Sequence, residues 1–317
     1  MSALLHVAVA LEGYGWHPEA WRHTADRPSV FSGRYWAGLA ATAERGLVDF
    51  VTFDDGLSPQ RRRRPGLEPR WLAGRPDAVL VAARVAPATS HVGLIPVAGI
   101  THTNPIHVAN AIAALDVSSG GRAGWQPRVS GAPHEAALFG RSDVSAGDLF
   151  THAVDAVAAV RRLWDHGQPV IAALAHARAI YEFAARSAEL VFVTPTDDDS
   201  LRAILAEVVE VGGAHLKVYA DVYVTSSGVV DGRSDAAVLD GGAAELVDLL
   251  LRWQRLGVDG VRLRPAVNAI ELPFIVDEVV PLLREAGVFR AAYRADETLR
   301  SRLGLPVALN RYQEANR

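Results

Sequence analysis

Cysteine is absent from the 317 residues of this chain, and lysine occurs once, at Lys217. Without cysteine, the protein has no disulfide scaffold, no thiolate zinc site and no cysteine nucleophile. Schiff-base catalysis would have to use Lys217. No apolar run reaches about 18 residues, so a membrane-spanning helix is not expected. The formal net charge of −4, from 32 basic and 36 acidic residues, argues against nucleic-acid binding.

Several motifs that would point to a particular chemistry are also missing. The segment Gly13–Pro18 begins like a dinucleotide-binding loop, but proline stands where the third glycine is needed. No phosphate-binding loop, nucleophile elbow or zinc-protease motif occurs. His102 and His107 are five residues apart, which is poor spacing for chelation from one helix face, and no carboxylate cluster is near them. We therefore expect no metal site.

What the chain does contain is a series of short apolar runs. Eight of them predict strands, at residues 4–11, 48–53, 91–97, 122–129, 169–174, 190–193, 215–225 and 258–263. Nearly continuous apolar runs are typical of strands that are buried on both faces of a parallel sheet. The first run has no basic segment before it, so we interpret it as a strand of a cytoplasmic protein and not as a secretory leader.

Segments with helical spacing separate these runs. They lie at residues 35–45, 105–115, 148–164, 176–187, 199–210 and 243–256. Eight alternations of strand and helix favour an α/β fold of the (β/α)8 TIM-barrel type over a doubly wound sheet. Because no linker or repeat divides the chain, we expect one domain over residues 1–317. Residues 56–76 and 226–242 are predicted to be loops; the arginine run 61–64 is either a solvated part of its loop or a clamp for an anion.

Polar residues follow the second and third predicted strands. Asp54 and Asp55 come directly after the second strand, and Thr101, His102 and Asn104 follow the third, ahead of a helix that begins with proline. In a (β/α)8 barrel the active site forms at the C-terminal ends of the strands. These residues are therefore candidates for ligand orientation or proton transfer. The alternative is that they only form turns and cap helices.

The most specific segment is Ser118–Gln126, which reads Ser-Ser-Gly-Gly-Arg-Ala-Gly-Trp-Gln. It resembles the bacterial luciferase-like flavin monooxygenases, in particular the branch of nitrilotriacetate, dibenzothiophene-sulfone and long-chain-alkane monooxygenases. The residues ahead of it that match the same pattern are Asn104, Pro105, His107, Leu115 and Asp116. Residues 17–22, 42–50 and 288–312 are also similar to segments of this family, so the resemblance covers nearly the whole chain.

The resemblance implies a TIM barrel, a homodimer, and reduced FMN bound at the strand ends and supplied by a separate flavin reductase. It also implies the use of O₂ on a small organic substrate, with a deazaflavin in some relatives. The flavin ring is then expected to contact Asp54, Ala98, Gly99, Thr101 and Gln126, where Ala98-Gly99 falls at a frequent cis peptide of the family and Gln126 replaces its asparagine. From its residue type, His17 or His102 is a candidate proton donor or stabiliser of a flavin peroxide; the alternative for each is a surface or capping histidine.

The resemblance fails at the expected flavin phosphate. After the fifth strand the family has serines, where this chain has His176-Ala177-Arg178, and Phe150 stands where the family has a tyrosine. Three interpretations remain open. The phosphate is held by Arg128, His176 and Arg178 instead, since charged donors suit a phosphate; the cofactor is a different one; or the barrel is non-catalytic, with a degenerate flavin site, and binds a small ligand or a partner.

Overall fold

The computed structural model describes residues 4–25, 29–56, 75–141, 148–164 and 167–307, so the predicted loop around the arginine run 61–64 lies outside the described residues. The described residues include nine strands: β1 (His6–Leu11), β2 (Phe50–Phe53), β3 (Gly93–Gly99), β4 (Gly124–Arg128), β5 (Val170–Ala175), β6 (Leu190–Val193), β7 (Lys217–Thr225), β8 (Ala237–Asp240) and β9 (Gly260–Pro265). Each of the eight predicted apolar runs overlaps one of them, and β3, β5 and β9 end one or two residues later than predicted.

The strands form a closed parallel barrel. Strands β1 to β7 pair in chain order, and β9 pairs with both β7 and β1, which closes the ring of eight. Every pairing is parallel, as expected where a helix follows each strand. The predicted (β/α)8 fold is therefore confirmed, and the C-terminal ends of the strands meet at one end of the barrel.

Strand β8 is a correction, because residues 226–242 were predicted to be a loop throughout. Strand β7 is longer than β6, and its last four residues extend beyond the end of β6. β8 pairs with those four residues, from Val222↔Ala237 to Thr225↔Asp240. The backbone groups of an uncovered strand edge need partners, and a four-residue segment whose side chains alternate between half-buried and exposed is sufficient to supply them.

Eleven α-helices lie in the described part of the chain: α1 (Gly33–Arg45), α2 (Ala78–Val85), α3 (Pro105–Ser119), α4 (Pro133–Leu138), α5 (Leu149–Leu163), α6 (Arg178–Ser187), α7 (Asp198–Glu210), α8 (Ala243–Leu256), α9 (Asn268–Phe274), α10 (Val280–Glu285) and α11 (Leu299–Arg302). The start of α3 is as predicted, with Pro105 in the first turn and the Asn104 side chain accepting from the Ile106 N–H. Within these described helices, none combines the length and the apolarity needed to cross a bilayer.

The N-terminal end of the barrel is filled with apolar side chains. The rings of Phe50, Phe192 and Tyr219 pack against one another with centroids 5.4–6.0 Å apart. Leu299 of α11 packs into the same cluster and is fully buried. The two cavities described below lie at the opposite end of the strands.

The first part of the segment with the strongest family resemblance has a structural role. Gly120 and Gly121 both have positive φ, at 68° and 80°, and make a tight turn after α3. The buried Arg122 guanidinium then donates to the carbonyls of Ala86, Thr89, Val92 and Ser119, which ties the end of α3 to the segment before β3. An arginine with its donors committed to backbone oxygens is a structural residue.

Candidate functional site

Two cavities open at the C-terminal ends of β2 to β5. The first, here named the mouth cavity, has a volume of about 290 Å³ and is lined by Asp54, Asp55, Arg75, Val97, Gln126, Pro127, Arg128, Val129, Phe150, Ala173, Leu174, His176, Ile180 and Phe183. The second, the side cavity, has about 430 Å³ and lies against α2, α3 and α4. Asp55, Val97 and Arg128 line both cavities and so form the wall between them.

The residues predicted for the flavin are divided between the two cavities. Asp54, Gln126 and His176 line the mouth cavity. Ala98, Gly99, Thr101 and His102 line the side cavity, and Arg128 lies on both. His17 and Arg178 line neither of them. The division agrees with the register of β3 and β4. Gln126, which lines the mouth cavity, pairs with Val97, whereas Arg128 pairs two residues further on with Gly99, which lines the side cavity.

Arg128 is held by protein groups on both of its outer nitrogens. Nη1 donates to the carbonyl of Asp55 at 2.8 Å, and Nη2 donates to Oε1 of Glu135 at 2.7 Å. The Glu135 side chain is only 1% exposed, so this ion pair neutralises a buried carboxylate. Arg128 therefore braces the wall between the cavities, and its charge is already matched.

Arg178 and His176 separate in the structure although they are two residues apart. The Arg178 guanidinium lies half-exposed among Glu182, Glu207 and Glu210 on α6 and α7, which raises its pKa. His176 instead faces the mouth cavity just before α6 begins. The structure thus brings only one of the two residues to the predicted phosphate end.

Glu12 was not among the predicted site residues. Leu11 and Phe53 are paired at the ends of β1 and β2, so Glu12 and Asp54 follow side by side. The Arg75 guanidinium lies between their carboxylates, 3.2 Å from Asp54 Oδ2 and in contact with Glu12 Oε1. Burial and the neighbouring Asp54 charge raise the pKa of Glu12 to about 8. A lone glutamate that ends an apolar run is the sequence signal that could have found it.

A buried polar network lies below the mouth cavity. Arg262 donates through Nε to Asp221 Oδ1 at 2.7 Å and through Nη2 to Asp221 Oδ2 at 2.5 Å, while its Nη1 donates to Gln126 Oε1 at 3.1 Å. Arg264 also donates to Asp221 and contacts Asp235. Sequence reasoning missed these arginines, although two arginines at alternate positions of an apolar strand, Val-Arg-Leu-Arg, are a recognisable exception to burial patterns.

His102 is buried beside the side cavity with unused hydrogen-bonding capacity. It is 6% exposed, its ring stacks on Phe139 at a centroid distance of 5.4 Å, and neither ring nitrogen has a hydrogen-bond partner. The neighbouring Thr101 hydroxyl accepts from the Ser130 N–H at 2.9 Å and so joins the loops after β3 and β4. A buried imidazole without a partner is costly unless a ligand supplies one.

The other predicted residues have structural surroundings. His17 Nδ1 accepts from the Glu19 N–H, and its ring meets that of His23, outside both cavities. The Ala98-Gly99 peptide is trans, and the Ala98 carbonyl accepts from the indole of the buried Trp125 at 3.3 Å. Lys217 pairs with Asp259 at the start of β7, at the far end of the barrel from the cavities. Across the described ranges, no three His, Asp or Glu side chains are grouped as metal ligands.

Comparison with known proteins identifies related sequences. A family model described as luciferase-like monooxygenase matches residues 15–247. N-acetyl-S-(2-succino)cysteine monooxygenase of Bacillus subtilis (strain 168) is 24% identical over 439 aligned residues, which cover 97% of this chain and 98% of that protein. Dibenzothiophene-sulfone monooxygenase of Rhodococcus erythropolis is 34% identical over 152 residues, covering 46% of this chain and 34% of that protein.

Solved structures share the fold at lower identity. EDTA monooxygenase from Chelativorans sp. BNC1 superposes with a TM-score of 0.84 at 19% identity, over 96% of this chain and 98% of that chain. A type II Baeyer-Villiger monooxygenase of Pseudomonas putida in complex with FMN gives 0.66 at 12% identity, covering 88% of this chain and 98% of that chain. An F420-dependent secondary alcohol dehydrogenase gives 0.67 at 14%, covering 90% and 100%. Of these structures of the same fold, one contains FMN and another belongs to an F420-dependent enzyme.

Proposed function

We propose, since the chain belongs to the luciferase-like monooxygenase family, that it uses reduced FMN and O₂ to oxygenate a small organic substrate. The observation that carries the proposal is the mouth cavity. It is lined both by an amide, on Gln126, and by a histidine beside a helix N-terminus, His176. A flavin nucleotide has a polar ring and an anionic phosphate, and these two groups of the cavity suit them.

The phosphate end is supported by the start of α6. The N-cap residue is Ala177, which has no side chain that could accept from the first-turn N–H groups. Unsatisfied N–H groups and the helix dipole favour an anion at such a position. His176 lies directly before them and lines the cavity with Ile180. We therefore assign the phosphate to His176 and the first turn of α6, and not to Arg128 or Arg178 as their charge suggested.

The ring end is supported by the residues that line the cavity near β2 to β4. Gln126 and Asp54 supply polar groups there, while Val97, Pro127 and Val129 supply apolar contacts. Phe150 packs against Phe183 at a centroid distance of 6.0 Å and covers the side towards α5 and α6. Apolar side chains around a ring exclude water, which is a contribution that a protein makes to flavin chemistry.

The side cavity is the proposed substrate chamber. It shares the wall of Asp55, Val97 and Arg128 with the mouth cavity, so a molecule in it would lie next to the flavin. Its α3 side is formed by Val108, Ala111 and Ile112, which suits an organic molecule with an apolar part. His102 would hold or donate a proton at a ring nitrogen, since no protein group engages either one. His17, the other predicted donor, is not adjacent to either cavity.

When bound, reduced FMN would supply the two electrons that convert O₂ to one oxygen atom in the substrate and one water molecule. The protein residues would bind and orient both molecules and keep water out. We infer from the family to which the chain belongs that a separate flavin reductase delivers the reduced flavin. The cytoplasmic location, the single domain and the absence of a nucleic-acid partner stay predictions.

A homodimer is also proposed. Helices α2 and α3 carry exposed apolar side chains, among them Leu80, Ile106 and Val117. Exposed apolar helix surface is typical of subunit interfaces. The apolar content of residues 105–117 and 150–164 also makes these two helical segments candidate dimer contacts. Leu163, at the end of α5, is exposed as well.

The proposal is tested by mixing the protein and anaerobically reduced FMN with oxygenated buffer and following the reoxidation of the flavin. We expect the flavin to reoxidise at a rate different from that of free FMN. The amount of flavin that reoxidises at this different rate should reach its maximum at one flavin per chain. The same mixture with reduced F420 examines the deazaflavin alternative. A time course equal to that of free FMN, at concentrations where FMN binds, would overturn the monooxygenase proposal.

A second candidate function is a barrel that binds a ligand without redox chemistry. The observation in its favour is that Arg128 and Arg178, the cations that replace the family's phosphate hydroxyls, are both paired with glutamates. This candidate is distinguished by the same experiment. If this candidate function is right, flavin that binds to the protein reoxidises at the same rate as flavin in free solution.

A further inference from the structure

Gln126 has an amide whose orientation is fixed by its neighbour. Arg262 approaches it with Nη1, 3.1 Å from the side-chain atom that accepts the hydrogen bond. A guanidinium has only donors, so that atom must be the amide oxygen and not the nitrogen. The Gln126 NH₂ group therefore points away from Arg262, and in the described part of the chain no residue accepts from it.

Arg262 itself cannot turn away. It is 2% exposed and lines neither cavity, and its other two donors form a bidentate pair with Asp221, which is fully buried. The guanidinium also lies over the Phe192 ring, 4.0 Å from its centroid. Asp221 and Arg262 are directly opposite in the pairing of β7 with β9, so the backbone sets their distance. The position of the Nη1 donor is thereby determined by the barrel.

We propose that Arg262 is a positioning residue that keeps the Gln126 NH₂ directed at the mouth cavity, so that this point of the site selects a ligand atom that accepts a hydrogen bond. The ligand class is a ring with a carbonyl oxygen or a deprotonated ring nitrogen at that position. This inference rests on the proposed function, because the flavin ring has such atoms. It adds Arg262 of β9, which does not line the cavity, to the residues that determine how the ligand is bound.

The decisive variants are Gln126→Glu and Gln126→Leu, which have nearly the same size. A glutamate would accept from Arg262 with one oxygen and present the other oxygen to the cavity, so it would repel an acceptor. A leucine would merely remove the donor. We expect riboflavin, which has no phosphate, to bind about tenfold more weakly to Gln126→Leu and more weakly still to Gln126→Glu. Binding to Gln126→Glu that equals the unmodified protein would overturn the proposal.

Arg262→Lys tests the positioning role, because lysine keeps the charge but loses the planar fork. As a single substitution, Arg262→Lys should raise the riboflavin Kd several-fold. In the Gln126→Leu background, the same substitution should leave the riboflavin Kd unchanged. Equal fold-changes in both backgrounds would show a general structural effect and overturn the role. A double-mutant cycle on the urea midpoint without ligand is the second readout. If the two substitutions are coupled in the urea midpoint but the protein binds no flavin, the Arg262–Gln126 contact is supported and the proposed function is rejected. If the two substitutions are not coupled, the contact is rejected.

Discussion

The guanidinium of Arg75 joins the ends of two neighbouring strands, because it contacts the carboxylates of both Glu12 and Asp54. One cation faces two carboxylates there, and one of them is almost fully buried. Burial and the charge of Asp54 therefore outweigh Arg75 and raise the pKa of Glu12 to about 8. Glu12 thus holds a proton near neutral pH, and it contacts Arg75, which lines the mouth cavity.

This pKa predicts how stability depends on pH. Glu12 keeps its proton in the folded protein at pH values where the unfolded chain has lost it, so its contribution is fully present below about pH 4.5 and is lost as the pH rises to about 8. The free energy of unfolding of the unmodified protein should fall over this range more steeply than that of Glu12→Gln. Urea unfolding at several pH values measures both, and parallel profiles would contradict the assignment.

Arg128 should matter more to stability than to flavin binding. Arg128→Ala leaves the buried Glu135 carboxylate without its partner, which should cost about 3 kcal/mol. Adding Glu135→Gln to that variant removes the unpaired charge and should recover most of the loss. Denaturant unfolding of the single and double variants tests this. A double variant that is less stable than Arg128→Ala would show that the ion pair is not the reason.

Gly15 is required by the close approach of two loops. It has a φ of +148°, and a Cβ there would lie 2.2 Å from the Ala266 carbonyl oxygen. Gly15→Ala should therefore destabilise the protein by at least about 2 kcal/mol. Gly38, inside α1 with nothing within 4 Å of its Cβ position, is the matched control, and Gly38→Ala should be neutral or stabilising by up to about 1 kcal/mol. Equal thermal midpoints for the two variants would be the contrary result.

The dimer surface is tested with two exposed valines. Val117 on α3 is 78% exposed and Val209 on α7 is 60% exposed. If α2 and α3 form the interface, Val117→Glu should shift sedimentation from a dimer towards the 33.9 kDa monomer, while Val209→Glu should leave the dimer intact. A monomeric unmodified protein at micromolar concentration would reject the dimer. A shift caused by Val209→Glu alone would place the interface elsewhere.

The fold was predictable because parallel strands with both faces buried leave an unmistakable apolar pattern. All eight barrel strands were found in this way, whereas β8 was missed because its four side chains alternate between half-buried and exposed and form no continuous apolar run. Of the residues that line the mouth cavity, Asp54 was named from its place after β2 and Gln126 from the family resemblance. What a sequence does not contain is the direction of a side chain.

That limitation explains why only one of the two basic residues predicted for the phosphate lines the mouth cavity. In the sequence, Arg178 and His176 are equally good candidates, and only the packing of α6 on α7 shows that glutamates engage the arginine. Glu12 and Arg262 were missed for the converse reason. Each is a charged residue in or next to an apolar strand, and its partner lies far away along the chain. Long-range pairs of this kind become visible only when the barrel closes.

The central claim is that the mouth cavity binds FMN with its phosphate at His176 and the first turn of α6. It is tested most directly by fluorescence titration of FMN and riboflavin into the unmodified protein, His176→Ala and Arg178→Ala. We predict that His176→Ala weakens FMN by about 1.5–3 kcal/mol, the scale of a charged hydrogen bond, and leaves riboflavin nearly unchanged, while Arg178→Ala affects neither. Absence of FMN binding to the unmodified protein, or equal losses of FMN and riboflavin in His176→Ala, would contradict the account.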